Sequence, residues 1–169
     1  GETSPDANNG MSSPIQIPGT TWSTTYSVAT DQKKLLAVKA DGTLWTWGTN
    51  NGGELGLNQD GAWDGSGATG SRSSPTQIGT GTDWKRPFNN GEAASKGMAL
   101  KTDGTLWFWG GNPAGSLGQN NNIAYSSPVQ IPGTTWKTAY GNTASLATKT
   151  DGTLWTWGNN AGGELGINT

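Results

Sequence analysis

The sequence predicts an all-β chain: about three repeated units of short antiparallel strands, stacked sheet against sheet. Three observations predict it. The cassette Asp-Gly-Thr-Leu-Trp-x-Trp-Gly occurs three times, at Asp41–Gly48, Asp103–Gly110 and Asp151–Gly158. Each copy is followed at a fixed distance by Gly53-Glu54-Leu55-Gly56, Gly115-Ser116-Leu117-Gly118 or Gly163-Glu164-Leu165-Gly166. No window carries a convincing helical period, because glycine or proline interrupts nearly every candidate. A unit reused in this way buries itself against its neighbours rather than folding alone.

Each cassette reads as a hairpin. In the first copy Leu35-Leu36-Ala37-Val38-Lys39 runs into Asp41-Gly42, and Leu44-Trp45-Thr46-Trp47 runs out. Asp-Gly between two apolar segments favours a two-residue type I′ turn, since glycine takes positive φ without penalty. Met98-Ala99-Leu100 and Ser145-Leu146-Ala147 lead into Asp103-Gly104 and Asp151-Gly152 in the same way. The outgoing strand puts two indoles on one face and Leu/Thr on the other, so neither face is wet. Sheets stacked face to face, as between propeller blades, satisfy that pattern. Gly48, Gly110 and Gly158 end the strand, and an Asn/Gly-rich link leads to Leu55, Leu117 and Leu165.

A second signature lies upstream: Ser12-Ser13-Pro14-Ile15-Gln16-Ile17, Ser73-Ser74-Pro75-Thr76-Gln77-Ile78 and Ser126-Ser127-Pro128-Val129-Gln130-Ile131, each followed by a tryptophan (Trp22, Trp84, Trp136). Counting from it, the repeats fall roughly at 12–72, 73–125 and 126–169, with 1–11 completing a preceding blade. Gly1-Glu2 stands in the phase of Gly53-Glu54 and Gly163-Glu164. That predicts an excerpt of a longer array or, alternatively, several chains completing a ring or stack.

At these residues the whole chain resembles the regulator of chromosome condensation repeat family, whose members carry an Asp-Gly hairpin closing on Trp-Gly, a following Gly-x-Leu-Gly and a Pro-x-x-(Ile/Val) segment. The resemblance implies a seven-bladed β-propeller of four-stranded blades, of which this chain is a segment. The absence of histidine and the Leu-Trp-x-Trp strand depart from the eukaryotic pattern, and that strand resembles bacterial and bacteriophage members.

Composition excludes several roles. Ten basic against twelve acidic residues give a net charge of −2, and the basic residues are spread along the chain. This argues against nucleic-acid binding, which needs a strong positive footprint. No apolar run is long enough to span a membrane as a helix. With no His and no Cys, Ser-His-Asp triads, Cys-His pairs and thiolate zinc sites are excluded. The reading is therefore not an enzyme, with no catalytic residue, no cofactor and no metal. Asp41, Asp103 and Asp151 occupy turns where Asp serves the backbone. Glu54 and Glu164 give way to Ser116 in the middle copy, which suits a solvated loop.

One segment breaks the pattern. Residues 57–72 lie where the second repeat has only 119–125, and this insert holds Asn58, Asp60, Trp63 and Asp64. The spacing fails a calcium loop at its third ligand. Trp63 lies outside the repeat, and an off-pattern tryptophan in a long loop is the candidate for a recognition contact. The function expected is a non-catalytic binding or structural module presenting loops to a protein or glycan partner. Sparse charge and abundant Gly, Asn, Thr and Ser point to a phage virion or bacterial surface, so an extracellular or virion-associated location is expected, with a cytoplasmic one left open. The alternatives are a guanine-nucleotide exchange regulator, for which no inserted wedge segment is found, and a propeller-type enzyme inhibitor.

Overall fold

The computed structural model describes residues 11–25, 27–31, 33–59, 70–88 and 95–168. Its strands are β1 (Val28–Thr30), β2 (Lys34–Val38), β3 (Leu44–Gly48), β4 (Arg72–Gln77), β5 (Trp84–Pro87), β6 (Lys96–Lys101), β7 (Leu106–Gly110), β8 (Tyr125–Gln130), β9 (Trp136–Gly141), β10 (Ala144–Lys149) and β11 (Leu154–Gly158). The sole helical element among the described residues is one 3-10 turn, Pro113–Gly115. Strands pair in chain order into three antiparallel meanders: β1-β2-β3-β4, β5-β6-β7-β8 and β9-β10-β11. The chain is all-β and built of propeller blades.

The edge strands β4 and β8 contain Pro75 and Pro128. Proline cannot donate to a ladder, so it is tolerated only at such an edge. These strands are the Ser-Ser-Pro segments, and they pair back onto β3 and β7. Each complete sheet thus draws its fourth strand from the segment that the sequence groups with the following repeat.

The hairpin corners depart from the expected two-residue turn. Lys39 N–H donates to Thr43 O and Gly42 N–H to Lys39 O, both at 3.0 Å, so Ala40, Asp41 and Gly42 form a three-residue corner. Gly42 is at φ +79°, whereas Asp41 is not among the residues with positive φ, as a type I′ turn would require. The cause is the aspartate itself. Its Oδ1 accepts the Thr43 N–H at 3.0 Å and the Thr43 hydroxyl at 2.6 Å, a local bond that holds an ordinary right-handed turn and leaves glycine to reverse the chain. The other two corners repeat it.

Strand alternation divides each sheet into two faces. Leu36, Val38 and Leu44 of the first sheet pack with Trp84, Ala99 and Trp109 of the second. Met98, Leu100, Leu106 and Phe108 of the second pack with Trp136, Ala139, Ala147 and Trp157 of the third. The indole face of one sheet therefore seats on the leucine face of the sheet before it. A hydrogen bond locks each junction: Trp109 Nε1 donates to Glu54 O at 2.9 Å, and Trp157 Nε1 to Ser116 O at 3.0 Å. The Gly-x-Leu-Gly turns are the seats. At Gly56, φ is +71° and a Cβ would lie 2.7 Å from Trp109 Nε1, so conformation and space both demand glycine.

Glu54, expected in a solvated loop, is only 3% exposed. Its carboxylate accepts the N–H groups of Asn51 and Gly52 at 3.0 and 2.6 Å, and the second sheet covers it. Glu164 makes the matching bond to Gly162 but stays exposed, because among the described residues no sheet covers the third leucine face.

The junction is testable. Gly97→Ala would place a Cβ 2.0 Å from Trp109 Cε2, an overpacking expected to cost about 1–3 kcal/mol. Trp109→Phe deprives the Glu54 carbonyl of its donor, at about 1–3 kcal/mol for the buried acceptor plus the lost volume. Urea unfolding followed by circular dichroism should show both losses, with Gly97→Ala cheaper in the Trp109→Phe background because the two share one contact. A Gly97→Ala protein as stable as the parent contradicts this packing.

Candidate functional site

An antiparallel meander sends its connections alternately to two ends. The corners β2–β3, β6–β7 and β10–β11 and the links 78–83 and 131–135 share one end. The connections β1–β2, β3–β4, β5–β6, β7–β8 and β9–β10 share the other.

The corner end is the same in every copy. Asp41 accepts from Thr43, and the Thr43 hydroxyl accepts Trp45 Nε1 at 2.8 Å; Asp103-Thr105-Trp107 and Asp151-Thr153-Trp155 repeat the relay at 2.9 Å. A lysine lies over each pair of indoles. Lys39 Nζ is 3.7 Å from the Trp45 ring centre and 5.1 Å from Trp22. Lys101 serves Trp84 and Trp107, and Lys149 serves Trp136 and Trp155. The paired rings meet edge to face with centres 6.1–6.2 Å apart. Each cation over a ring contributes about 0.5–1 kcal/mol where solvent reaches it. The corner also grips the next sheet: Gly42 O accepts Trp84 N–H, and Gly104 O accepts Trp136 N–H, at 3.0 Å. These lysines are part of the basic residues read as scattered, yet each stands two positions before its cassette aspartate. That fixed phase was the available signal.

The loop end differs from copy to copy. The first-to-second-strand connection occupies 31–33 in the first sheet, 88–95 in the second and 142–143 in the third. The third-to-fourth-strand connection occupies 49–71 in the first sheet and 111–124 in the second. Buried asparagines organise the second set. Asn50 Oδ1 accepts Leu55 N–H and its Nδ2 donates to Gln59 O; Asn112 Oδ1 accepts Leu117 N–H and its Nδ2 donates to Asn121 O and Ile123 O. Asn160 accepts Leu165 N–H likewise. Their common phase was visible in the repeats but was read only as an Asn/Gly-rich link.

Asn58 sits at this end, exposed and at φ +56°. Its N–H donates to Ser126 O at 2.8 Å and its Oδ1 accepts the Ser127 hydroxyl at 3.1 Å, tying the first sheet's turn to the second sheet's edge strand. Asp60, Trp63 and Asp64 lie outside the described residues. The stem of their loop is pinned, because Arg72 donates to Gln59 Oε1 and to the Gly70 and Ser71 carbonyls. A groove of about 330 Å³ beside Asn58 is lined by Gln77, Trp84, Lys101 and Ser127 among others.

Two buried lysines also face the loop end. Lys34 pairs with Asp31; burial raises the Asp31 pKa, but the Lys34 ammonium and the N–H groups of Lys33 and Lys34 outweigh it and leave the carboxyl below its usual value. Lys96 donates to Asn142 O, and burial lowers its pKa to about 8. Among the described residues no three His, Cys, Asp or Glu side chains group to hold a metal, and no helix is long and apolar enough to cross a membrane.

No family model matches the chain. Solved structures do, and they show the fold to be that of RCC1-like β-propeller blades. Human WBSCR16 is similar at 24% identity and a TM-score of 0.69, over 94% of this chain and 40% of that one. Yeast RCC1 (Prp20) bound to Kap60 is similar at 21% and 0.65, over 85% of this chain and 34% of that one. Prp20p from Saccharomyces cerevisiae, described with its binding properties to Gsp1p and histones, gives 19% and 0.60 over the same shares, 85% and 34%. The chain thus spans 34–40% of the length of these structures.

The corner relay carries a pH signature. The threonine hydroxyl first and its N–H second hold Asp41 and Asp103 below the usual carboxylate value of 3.8; at Asp151 the N–H leads. A folded-state pKa below the unfolded one gives stability that is present above the unfolded pKa and lost as pH falls through the folded value. The urea midpoint, followed by tryptophan fluorescence, should therefore fall below about pH 4. The triple variant Asp41→Asn, Asp103→Asn, Asp151→Asn should show a shallower acid limb, and an unchanged limb refutes the relay.

Proposed function

We propose that the chain is a non-catalytic binding module that presents its loop end to a protein partner. The contrast between the two ends carries this reading: one set of corner bonds recurs in every sheet, while copy-specific connections gather at the opposite end on adjacent sheets. A rigid scaffold offering variable loops at one end is the usual arrangement of recognition surfaces. The acids support it too, since Asp41, Asp103, Asp151, Glu54 and Glu164 all accept backbone N–H groups. Structural neighbours engage proteins: Prp20 was described with Kap60, Gsp1p and histones. Sparse charge and abundant Gly, Asn, Thr and Ser favour a virion or bacterial surface as its setting, with a glycan as the second class of ligand. Exchange activity on a small GTPase is the alternative suggested by Prp20.

The test is selection of peptides from a displayed library on the purified chain. They should bind a variant with 60–69 excised at least ten-fold more weakly, and bind Asp41→Asn as they bind the parent. Peptides that ignore the excision and lose affinity at the corners overturn the proposal. Accelerated nucleotide release from a purified small GTPase would favour the exchange reading.

A further inference from the structure

A groove of about 330 Å³ lies between the first two sheets, bounded by the first loop turn, the end of β4 and the edge strand β8. Its floor is fixed by packing: Gly56 and Ile78 are buried, and Trp84 is 6% exposed. One difference between copies leaves it open. In the second sheet Gln119 stands in the phase of Leu57, and its Nε2 donates to Gln130 O at 2.8 Å, tying the turn to the end of β8. Leu57 has no donor to give, so its side chain makes no such tie to Gln77 at the end of β4.

Three donors meet at this groove. Trp84 Nε1 has no hydrogen-bond partner among the described residues, and a Cβ built at Gly81, which also lines the groove, would lie 3.3 Å from it. The indoles in the same phase, Trp22 and Trp136, leave Nε1 unpaired too, but theirs are sealed from solvent. Asn58 is the second donor. Its Oδ1 is occupied by the Ser127 hydroxyl at 3.1 Å and its backbone N–H by Ser126 O, while its Nδ2 protons stay unused among the described residues. Lys101 is the third: Nζ lies 4.9 Å from the Trp84 ring centre and meets Asp83 Oδ2 at 3.1 Å, which leaves it protons to give. Beside these donors the lining is apolar, with Leu57, Ile78 and Pro128.

We infer that this groove binds an acidic side chain of a peptide segment, with an apolar neighbour resting on Leu57 and Pro128. The inference rests on the protein partner proposed above and adds to it a contact apart from the 60–69 loop. A carboxylate accepts from several donors at once, one of them a cation, and brings no donor of its own. A neutral sugar has hydroxyls that must donate as well as accept, and Asn58 Oδ1 is already taken. A small inorganic anion would leave the apolar wall uncovered. The indole is the fixed point of the site, because a ring packed on both faces cannot turn its N–H elsewhere. A donor so held gains a partner only from a ligand or from water. A volume at the small end of ligand cavities admits a side chain or two.

Nuclear magnetic resonance of the nitrogen-labelled 169-residue chain tests this, since each tryptophan gives its own indole N–H signal. Trp84→Phe identifies the Trp84 signal by removing it. The capped tripeptide acetyl-Leu-Glu-Leu-amide should move that signal to saturation, and its neutral twin acetyl-Leu-Gln-Leu-amide should bind about ten-fold more weakly. Gly81→Ala sets a methyl beside the indole nitrogen, and Leu57→Gln supplies the tie that Gln119 makes in the second sheet. Each should weaken the glutamate peptide by a similar factor while the other indole signals stay in place, which reports an intact fold. A variant with 60–69 excised should bind this probe as the parent does, so the groove and the loop reading fail separately. A Trp84 signal indifferent to the glutamate peptide, a neutral twin that binds as well, or glucuronate moving the signal where the peptide does not would overturn the proposal.

Discussion

The hydrogen bond from an indole N–H to the carbonyl of the preceding sheet's turn is the constraint on which the architecture rests. A sheet of short strands with two apolar faces has no stable existence in water, so each face must find a partner of matching shape. Tryptophan suits the junction because it joins a large apolar body to one donor. Trp109 and Trp157 bury the body between sheets and place the donor on Glu54 O and Ser116 O. The turn below is built to receive it. Asn50 and Asn112 satisfy the N–H groups of Leu55 and Leu117, and the closing glycine leaves room for the ring. The acceptor is a backbone carbonyl, which explains why Glu54 and Ser116 exchange freely at the position that supplies it.

The corner end solves a different problem. Trp45, Trp107 and Trp155 keep their nitrogens near water, and a threonine hydroxyl pinned by aspartate takes each one. The lysine stem and ammonium then cover the rings. Three of the chain's cations are occupied this way and two more are buried at Lys34 and Lys96. A chain already poor in charge thus has still fewer cations free to build a continuous positive surface.

How much of this the sequence disclosed depends on whether the relevant contact lies within one repeat. The hairpins, the indole and leucine faces and the stacking were legible, because strand alternation and turn residues act locally. The corner type was misjudged because Asp-Gly serves two-residue and three-residue turns alike; the threonine after Gly42, Gly104 and Gly152, which bonds the aspartate, was the discriminating residue. The burial of Glu54 was invisible for a different reason: the covering surface belongs to the next sheet, and no single repeat contains it. The lysines over the indoles failed to stand out because their repetition is one of phase, and a count of charges discards phase. Of the candidate recognition residues, Asn58 is engaged with Ser126 and Ser127, while Asp60, Trp63 and Asp64 fall beyond the described residues.

The gathering of length differences at one end has a mechanical cause. At the corners the chain has no slack: Gly42 O holds Trp84 N–H and Gly104 O holds Trp136 N–H, so an added residue would break a bond between sheets. At the loop end the first connection makes its bonds to the second sheet through Glu54 and Asn58, and Asn50 and Arg72 then close its base by holding Gln59 and Gly70. An insertion beyond that base costs only loop-closure entropy, which grows slowly with length. Variation therefore accumulates where the fold does not resist it. That same end is the one we propose a partner to meet, on loops carried by a scaffold that the corners keep fixed.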